Sequence, residues 1–395
     1  MATKKMNITI EKITNINNDK NFIKYRFNNT NHSIVNALRR TILSDILVYG
    51  FNGLAYLNRN NKKEEKKEET VNVIKNTTRL NNEIIKQRLM CIPIHLNAYD
   101  NENDYTKITF ELDTKTLNLE KNIVNFITTE HFKIKNSSEK EVKKINPFPK
   151  DSITDEHIFI SKINPKISNQ LPQEELNVIC RITKHSAKEN ACFNSVSCCS
   201  YSFLEKNEKE KEKYWKKYCK KNSIDFSNDD EKKNWNLLKG KRICHKDKFN
   251  FIIESLGIYS CKELLIIASN TLINKFDNLL KNINQKNHFI FNNSLVGIKY
   301  SYDIKLKHED YTIGKVLEYY INKNMKKNSL IFVGFLKRHP HDNFSIIRIV
   351  FDEKFKENLK KKIDCEFHIK NIFQQSYEKS INTFKSIKNS VISIK

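Results

Sequence analysis

SIVNALRRTI (33–42) and TIGKVLEYYI (312–321) are two versions of one phrase, set 279 residues apart. That offset is far longer than any solenoid period, so one small unit is used twice and no array is built. Ahead of the first, Ile23, Tyr25 and Phe27 alternate with Lys24 and Arg26, the period-2 pattern of a half-buried strand. Asn31 to Ser33 then supply N-cap chemistry. Ile34, Val35, Leu38, Ile42 and Ile46 follow at helical spacing on one face, with Arg39 and Arg40 away from the centre of that stripe. Ahead of the second, Tyr300, Tyr302, Ile304 and Leu306 alternate with Ser301, Asp303, Lys305 and Lys307. Residues 309–312 form the cap before Ile313, Val316, Leu317, Tyr320 and Ile321. Strand then amphipathic helix, twice, points to two copies of a module that pair with each other.

Working outward, both halves continue alike. KFNFIIESLG (248–257) reads as a strand closed by Gly257, and 261–283 as a long amphipathic helix carrying Leu264, Leu265, Ala268, Leu272, Phe276, Leu279 and Leu280. In the second half, strands at 329–335 and 345–351 are joined by LKRHPHDN (336–343), and 366–388 forms a closing helix. Each half runs strand, helix, further strands, long helix. The first half carries in addition a β-rich region, with a short helix at 81–96 that Pro93 ends and strands at 107–112, 157–163 and 176–182. The fold class expected is α+β: two modules of antiparallel sheet plus helices, paired within one chain, with a β-rich domain inserted in the first.

Composition narrows the function. The 395 residues can bury a sizeable core in two or three domains, and 70 Lys and Arg against 46 Asp and Glu leave a formal charge of +24, which favours polyanionic surroundings. The charge is spread along the chain, which suits one part of a nucleic-acid machine better than a basic tail. Gly is 7 and Pro 6, against roughly 28 and 20 at average usage, so Asn-rich stretches reflect an AT-rich coding bias and are not all turns. No apolar run approaches the ~20 residues of a membrane span and the N-terminus has no signal core, so a soluble intracellular protein is expected. Two charge-dense runs, at 61–70 and 205–222, read as solvated loops or exposed helices. Tyr214, Trp215 and Tyr218 of the second are better suited to pack inward from a surface helix than to stack on bases.

Nine cysteines without a C-x-x-C pair indicate neither a disulfide framework nor a zinc ribbon. The nearest thing to a metal cluster is His185, Cys192, Cys198 and Cys199, but adjacent cysteines seldom both ligate one tetrahedral ion, so no metal and no cofactor are expected. Phosphate-binding glycine loops, H-E-x-x-H, G-x-S-x-G and an Asp-x-Asp-x-Asp magnesium set are all missing from the sequence. His339, His341 and Asp342 sit around Pro340 in what reads as an exposed turn. No catalytic residue is assigned.

The segments quoted above resemble those of one family, the alpha-like assembly subunits of multisubunit DNA-dependent RNA polymerases: the bacterial alpha N-terminal domain, archaeal D and L, and eukaryotic subunits 3 and 11. NHSIVNALRRTILSD (31–45), LNNEIIKQRLMCIPIHL (80–96) and FNFIIESLGIYSCKELLIIASNTL (249–272) are similar to the alpha and subunit 3 branch. HEDYTIGKVLEYYI (308–321) and FVGFLKRHPHDNFSIIRI (332–349) are similar to the subunit 11 and archaeal L branch. The resemblance spans nearly the whole chain except the charged runs. Residues 182–203 depart from the subunit 3 pattern, 205–245 match nothing in it, and the family's cysteine-rich zinc loop has no counterpart beyond Cys91.

The resemblance implies a natural fusion of subunits 3 and 11 of the kind associated with large DNA viruses. A subunit 3-like dimerisation module would occupy 1–50 and 246–283, the inserted β-rich domain 51–245, and a subunit 11-like module 284–395, with a polar linker near 282–293. The paired modules would form a non-catalytic platform that recruits the two largest polymerase subunits. Asn36, Arg39 and Arg40 would face the second-largest, and Glu309, Asp310 and Lys315 the largest. Ile34, Leu38, Ile42, Leu265, Leu272, Phe276, Ile313 and Leu317 would line the internal interface. Small polymerase subunits would be further partners, DNA and RNA only indirect ones, and no membrane is involved. The host cytoplasm, the nucleus and the virion are the places it would be found. The competing expectation is a free-standing basic nucleic-acid-binding protein.

Overall fold

The computed structural model describes residues 8–14, 21–53, 69–100, 103–117, 119–120, 122–136, 145–166, 168, 170–283, 289–293, 298, 300–325, 329–353 and 362–394. Residues 61–68 of the first charged run and 284–288 of the expected linker lie outside them. Along the chain come β1 (Thr9–Thr14), β2 (Phe22–Asn28), α1 (His32–Ser44), β3 (Leu47–Phe51), β4 (Val71–Asn76), α2 (Asn82–Met90), β5 (Thr109–Asp113), β6 (Asn125–Thr128), β7 (Lys133–Lys135), β8 (Phe159–Ile163) and β9 (Leu176–Ser186). They are followed by β10 (Val196–Glu205), α3 (Glu208–Asn222), α4 (Asp229–Leu237), β11 (Cys244–Ser255), α5 (Cys261–Lys281), β12 (Phe289–Asn293), β13 (Ser301–Lys307), α6 (Tyr311–Lys323), β14 (Leu330–Leu336), β15 (Phe344–Phe351) and α7 (Lys362–Ile392). None of the described helices is long and apolar enough to cross a membrane.

The chain divides into two compact units. The first comprises Met1–Ile42, Cys198–Glu254 and Cys261–Lys395 and holds two four-stranded sheets, ordered β1-β2-β11-β10 and β12-β13-β15-β14. The two orders are the same once each sheet's strands are counted along the chain: first, second, fourth, third. A helix follows the second strand of each (α1, α6), and a longer one follows the fourth (α5, α7). Strand pairing is antiparallel, and alternation sends Tyr25, Phe27, Phe249, Phe251 and Ile253 to the buried face of one sheet and Tyr302, Ile304, Leu306, Ile347 and Ile349 to that of the other.

The likeness reaches single residues. Asn29 and His308 both take left-handed backbone (φ 57° and 59°) immediately after their strands. Two residues on, Asn31 Oδ1 accepts from Ser33 N at 2.9 Å and Asp310 Oδ1 from Thr312 N at 2.8 Å, and the backbone amides of Val35 and Gly314 donate to the carbonyls of those same two caps. Every pair in this set keeps the 279-residue offset. A strand that must turn at once into a helix needs one residue of reversed curvature and a short side chain to satisfy the first orphan amides, and Asn, Asp and His supply these without glycine.

The second unit comprises Leu43–Ser197 and Ser255–Ser260. Its larger sheet runs β3-β9-β5-β7, with β4 also on β9, and β6 pairs β8 separately. Phe51, Phe110, Phe132 and Phe148 meet at its centre with ring centroids 5.4–6.4 Å apart. The Tyr259 hydroxyl, donating to Leu47 O (2.8 Å) and accepting from Ala98 N (3.1 Å), ties the 255–260 turn into it. Gly257 there adopts φ 88°, which explains why the strand read at 248–257 stops at Ser255.

Two readings need correction. The helix read at 81–96 spans Asn82–Met90, because Ile92, directly before Pro93, is driven out of helical backbone. The boundary at 245 also differs: β10 and β11 lie side by side in the sheet with β2, so 198–245, taken from sequence as part of the β-rich domain, belongs with the first unit.

Candidate functional site

Arg40 lies on the half-exposed face of α1, and in the structure it reaches the start of α6. Its Nε donates to Thr312 Oγ1 at 2.8 Å and one terminal nitrogen donates to Asp310 Oδ2 at 2.9 Å. Asp310 thus has two tasks: one oxygen caps α6 through Thr312 N and the other receives the guanidinium. Burial pushes its carboxyl up, but the Thr312 hydrogen bonds and the Arg40 charge outweigh that, and it titrates below the usual carboxylate value. The sequence reading assigned Arg40 and Asp310 to different outside partners. The structure joins them to each other across the two repeats, a contact no local spacing reveals because 270 residues separate them.

The neighbouring residues are arranged differently. Arg39 Nε donates to Asn36 Oδ1 at 2.9 Å, and Lys315 Nζ meets Glu318 Oε2 at 2.6 Å. These are corresponding positions on α1 and α6, an i,i+3 bridge in each case, of opposite polarity. Asn36, Arg39, Glu309 and Lys315 are all half-buried. Arg39 also lies near the Cys199 thiol, whose pKa burial drives to about 12 while the guanidinium opposes the rise.

The residues read as interface are all buried: Ile34, Leu38, Leu265, Leu272, Phe276, Ile313 and Leu317 at 0% and Ile42 at 1%. Phe276 on α5 stacks on Phe384 of α7 (centroids 6.0 Å, 20° between planes) and tilts against Tyr377 at 6.4 Å. At the other end, Lys262 Nζ donates to the Ile392 and Ile394 carbonyls, so the two long helices run antiparallel and the α5 lysine closes the C-terminus of α7. Where they pack, Ser269, Ser376 and Ser380 are buried and return their hydroxyls to carbonyls four residues back, at 2.7–2.8 Å. Small side chains that satisfy themselves let the helices approach without orphaned polar atoms.

Among the described residues, no group of three His, Cys, Asp or Glu could hold a metal ion. His185 instead stacks on Phe193 at 4.4 Å, with Nδ1 3.0 Å from Glu189. His339 and His341 lie in the exposed turn between β14 and β15. Sequence reasoning missed Thr312 as the acceptor for Arg40. A hydroxyl at a helix start reads as capping, and nothing local signals a second use.

A double-mutant cycle on Arg40→Ala and Asp310→Ala should give a coupling of no more than about 1 kcal/mol, since both side chains are over a third exposed. The sign with pH follows from the lowered Asp310 pKa. The pair contributes in full above the ordinary aspartate value of about 3.9 and is lost as pH falls through the lower folded value. The stability difference between native protein and Asp310→Asn should therefore shrink below pH ~4, and urea midpoints at pH 7, 4 and 2.5 test this.

Residues 24–124, covering β2, α1 and the chain on through β5, match the family model described as the RNA polymerase Rpb3/Rpb11 dimerisation domain. No curated protein matches the chain. The family match supports an alpha-like RNA polymerase assembly subunit, non-catalytic by itself, that associates with other polymerase subunits.

Proposed function

We propose that this chain carries both halves of an alpha-like dimer in one polypeptide, a subunit 3-like module followed by a subunit 11-like one, and that the internal pseudo-dimer is the platform on which the two largest subunits of a DNA-dependent RNA polymerase assemble. The observation that carries the reading is the repeated sheet order together with the repeated turn and cap at Asn29–Asn31 and His308–Asp310, joined by Arg40. Two modules built alike and held by α5 against α7 suit a pair that elsewhere forms from separate chains. Fusion keeps them at an effective concentration on the order of millimolar, so the platform does not depend on finding a partner.

With Arg40 and Asp310 turned to each other, Arg39 and Asn36 are the contacts proposed for the second-largest subunit, and Glu309 and Lys315 those for the largest. Affinity purification of the tagged chain from its native cell should return two very large partners in equal amounts, with template-directed RNA synthesis. Recovery of the chain alone, or with nucleic acid only, overturns the proposal. Arg39→Ala should lower retention of the second-largest subunit about tenfold, the size of one interfacial anchor, without moving the folding midpoint of the chain alone.

A further inference from the structure

The link between β10 and β11 is a helical hairpin, α3 and α4, where the matching link between β14 and β15 is the short turn at 337–343. The hairpin is not needed to close its sheet, and it has a core of its own: Trp215 and Cys219 of α3 against Trp235 of α4, flanked by Tyr218, Ile224 and Ile243. With its apolar face spent there, α3 turns the opposite face outward. On that face stand Lys209, Lys213, Lys216, Lys217, Lys220 and Lys221, all exposed.

This ridge is costly for the helix itself. Lys209, Lys213, Lys217 and Lys221 follow one another at i,i+4, as do Lys216 and Lys220, and like charges at that spacing destabilise a helix by about 0.2–0.5 kcal/mol per pair. Of the acidic residues near the helix start, Glu205 and Glu208 are engaged by Lys211 (2.6 and 3.5 Å) and Glu210 by Lys206 (3.6 Å), and the exposed Glu212 is the last acid before the lysine run. From Lys213 to Ile224 the sequence has no acidic residue. Only Lys220 and Lys221 lie in the last turn, where they offset the helix dipole. Five lysines from 213 to 221 over a rise of about 12 Å approach the charge density of a nucleic-acid duplex, about one charge per 1.7 Å. The nearby rings are already covered by cations: Lys216 and Lys232 lie 5.1 and 5.8 Å from Phe226, Lys206 5.5 Å from Tyr214, and Lys239 4.1 Å from Tyr218. That leaves charge, not base stacking, as the means of recognition.

We infer that the outward face of α3 is a docking ridge for the sugar-phosphate backbone of nucleic acid, independent of base sequence. It does not depend on the assembly reading, and it is tested on the full chain alone. Fluorescence anisotropy between 50 and 200 mM salt, with a duplex DNA and a single-stranded RNA of equal charge, compares native protein with K213Q/K217Q/K220Q. Losing three phosphate contacts should flatten the log K against log salt slope by about 2.7 on duplex and about 2.1 on single strand. The strand whose slope falls by its full amount is the one bound. Glutamine keeps a good helix former at each position, so melting should hold or rise. K213R/K217R/K220R should restore the slope, separating loss of charge from loss of fold. The inference is overturned if the slopes are unchanged, or if K107Q/K162Q/K188Q, which removes three exposed lysines elsewhere, flattens them as much. It is also overturned if polyglutamate loses as much affinity as nucleic acid does, which makes the ridge an acidic-protein site.

Discussion

In Phe276→Asp, melting of the α5–α7 pairing falls by roughly 10 °C or more, or loses its cooperativity altogether. Phe276 is 0% exposed, with the Phe384 ring stacked on one side and Tyr377 against another. Removing the ring alone costs about 3–5 kcal/mol. A carboxylate put in its place would be buried against those two rings, and an unpaired buried charge brings the loss to about 5 kcal/mol or more, a large part of a typical domain's stability. Phe276→Leu keeps an apolar side chain and should cost less than about 1.5 kcal/mol. The aspartate also has a pH signature that packing loss lacks. Its protonated form is better tolerated in the core, so the deficit narrows from pH 8 to pH 4, whereas that of Phe276→Ala does not. Thermal unfolding by circular dichroism at both pH values reads all three variants. An unchanged melting temperature in Phe276→Asp means that α5 does not pack on α7.

Much of this was legible because hydrophobic period is a local property. Leu264, Leu265, Ala268, Leu272 and Phe276 share one helical face in the sequence and all are buried. The alternation in 300–307 and the apolar run at 345–351 are now seen as β13 and β15, with only small shifts at their ends. The inward reading of the second charged run holds for Trp215, buried on α3 in contact with Trp235, and in part for Tyr218, which flanks them, but not for Tyr214, which stays 45% exposed because it projects off the buried stripe of the helix. What escaped were features set by distant partners. β1 is a sheet edge whose TIEKIT sequence mixes charge with apolar residues, and it becomes a strand only because β2 offers it a ladder. β10 reads as a loose run of Ser and Cys, yet its place beside β11 moves a domain boundary by some fifty residues. Arg40 carries the same lesson for the site. On its own helix it is an exposed cation facing outward, and its partner is fixed only when α6 is brought alongside.

Gly314→Val should destabilise the protein by about 3 kcal/mol, the upper end of what overpacking costs, although glycine inside a helix is ordinarily a liability. Gly314 lies in the first turns of α6, where alanine would gain about 1 kcal/mol in propensity. The site forbids it: a Cβ built there would lie 1.9 Å from Phe335 Cε2 and 2.2 Å from Cδ2, far inside contact distance. Phe335, buried on β14, is held over the helix by an edge-to-face contact with Tyr311 (5.1 Å, 74°). Its ring therefore cannot withdraw without breaking that contact, and α6 would have to lift from the sheet. Lifting α6 also carries Asp310 and Thr312 away from Arg40, so the helix start and the link between the repeats weaken together. Gly314→Ala should fall between, its clash partly offset by propensity. Combined with Phe335→Leu, which removes the obstructing ring, Gly314→Ala should cost less than the two single changes added, by about 1 kcal/mol of favourable coupling. Urea denaturation of the four proteins measures this. Strict additivity means that the close approach of α6 to the Phe335 ring is not what requires glycine at 314.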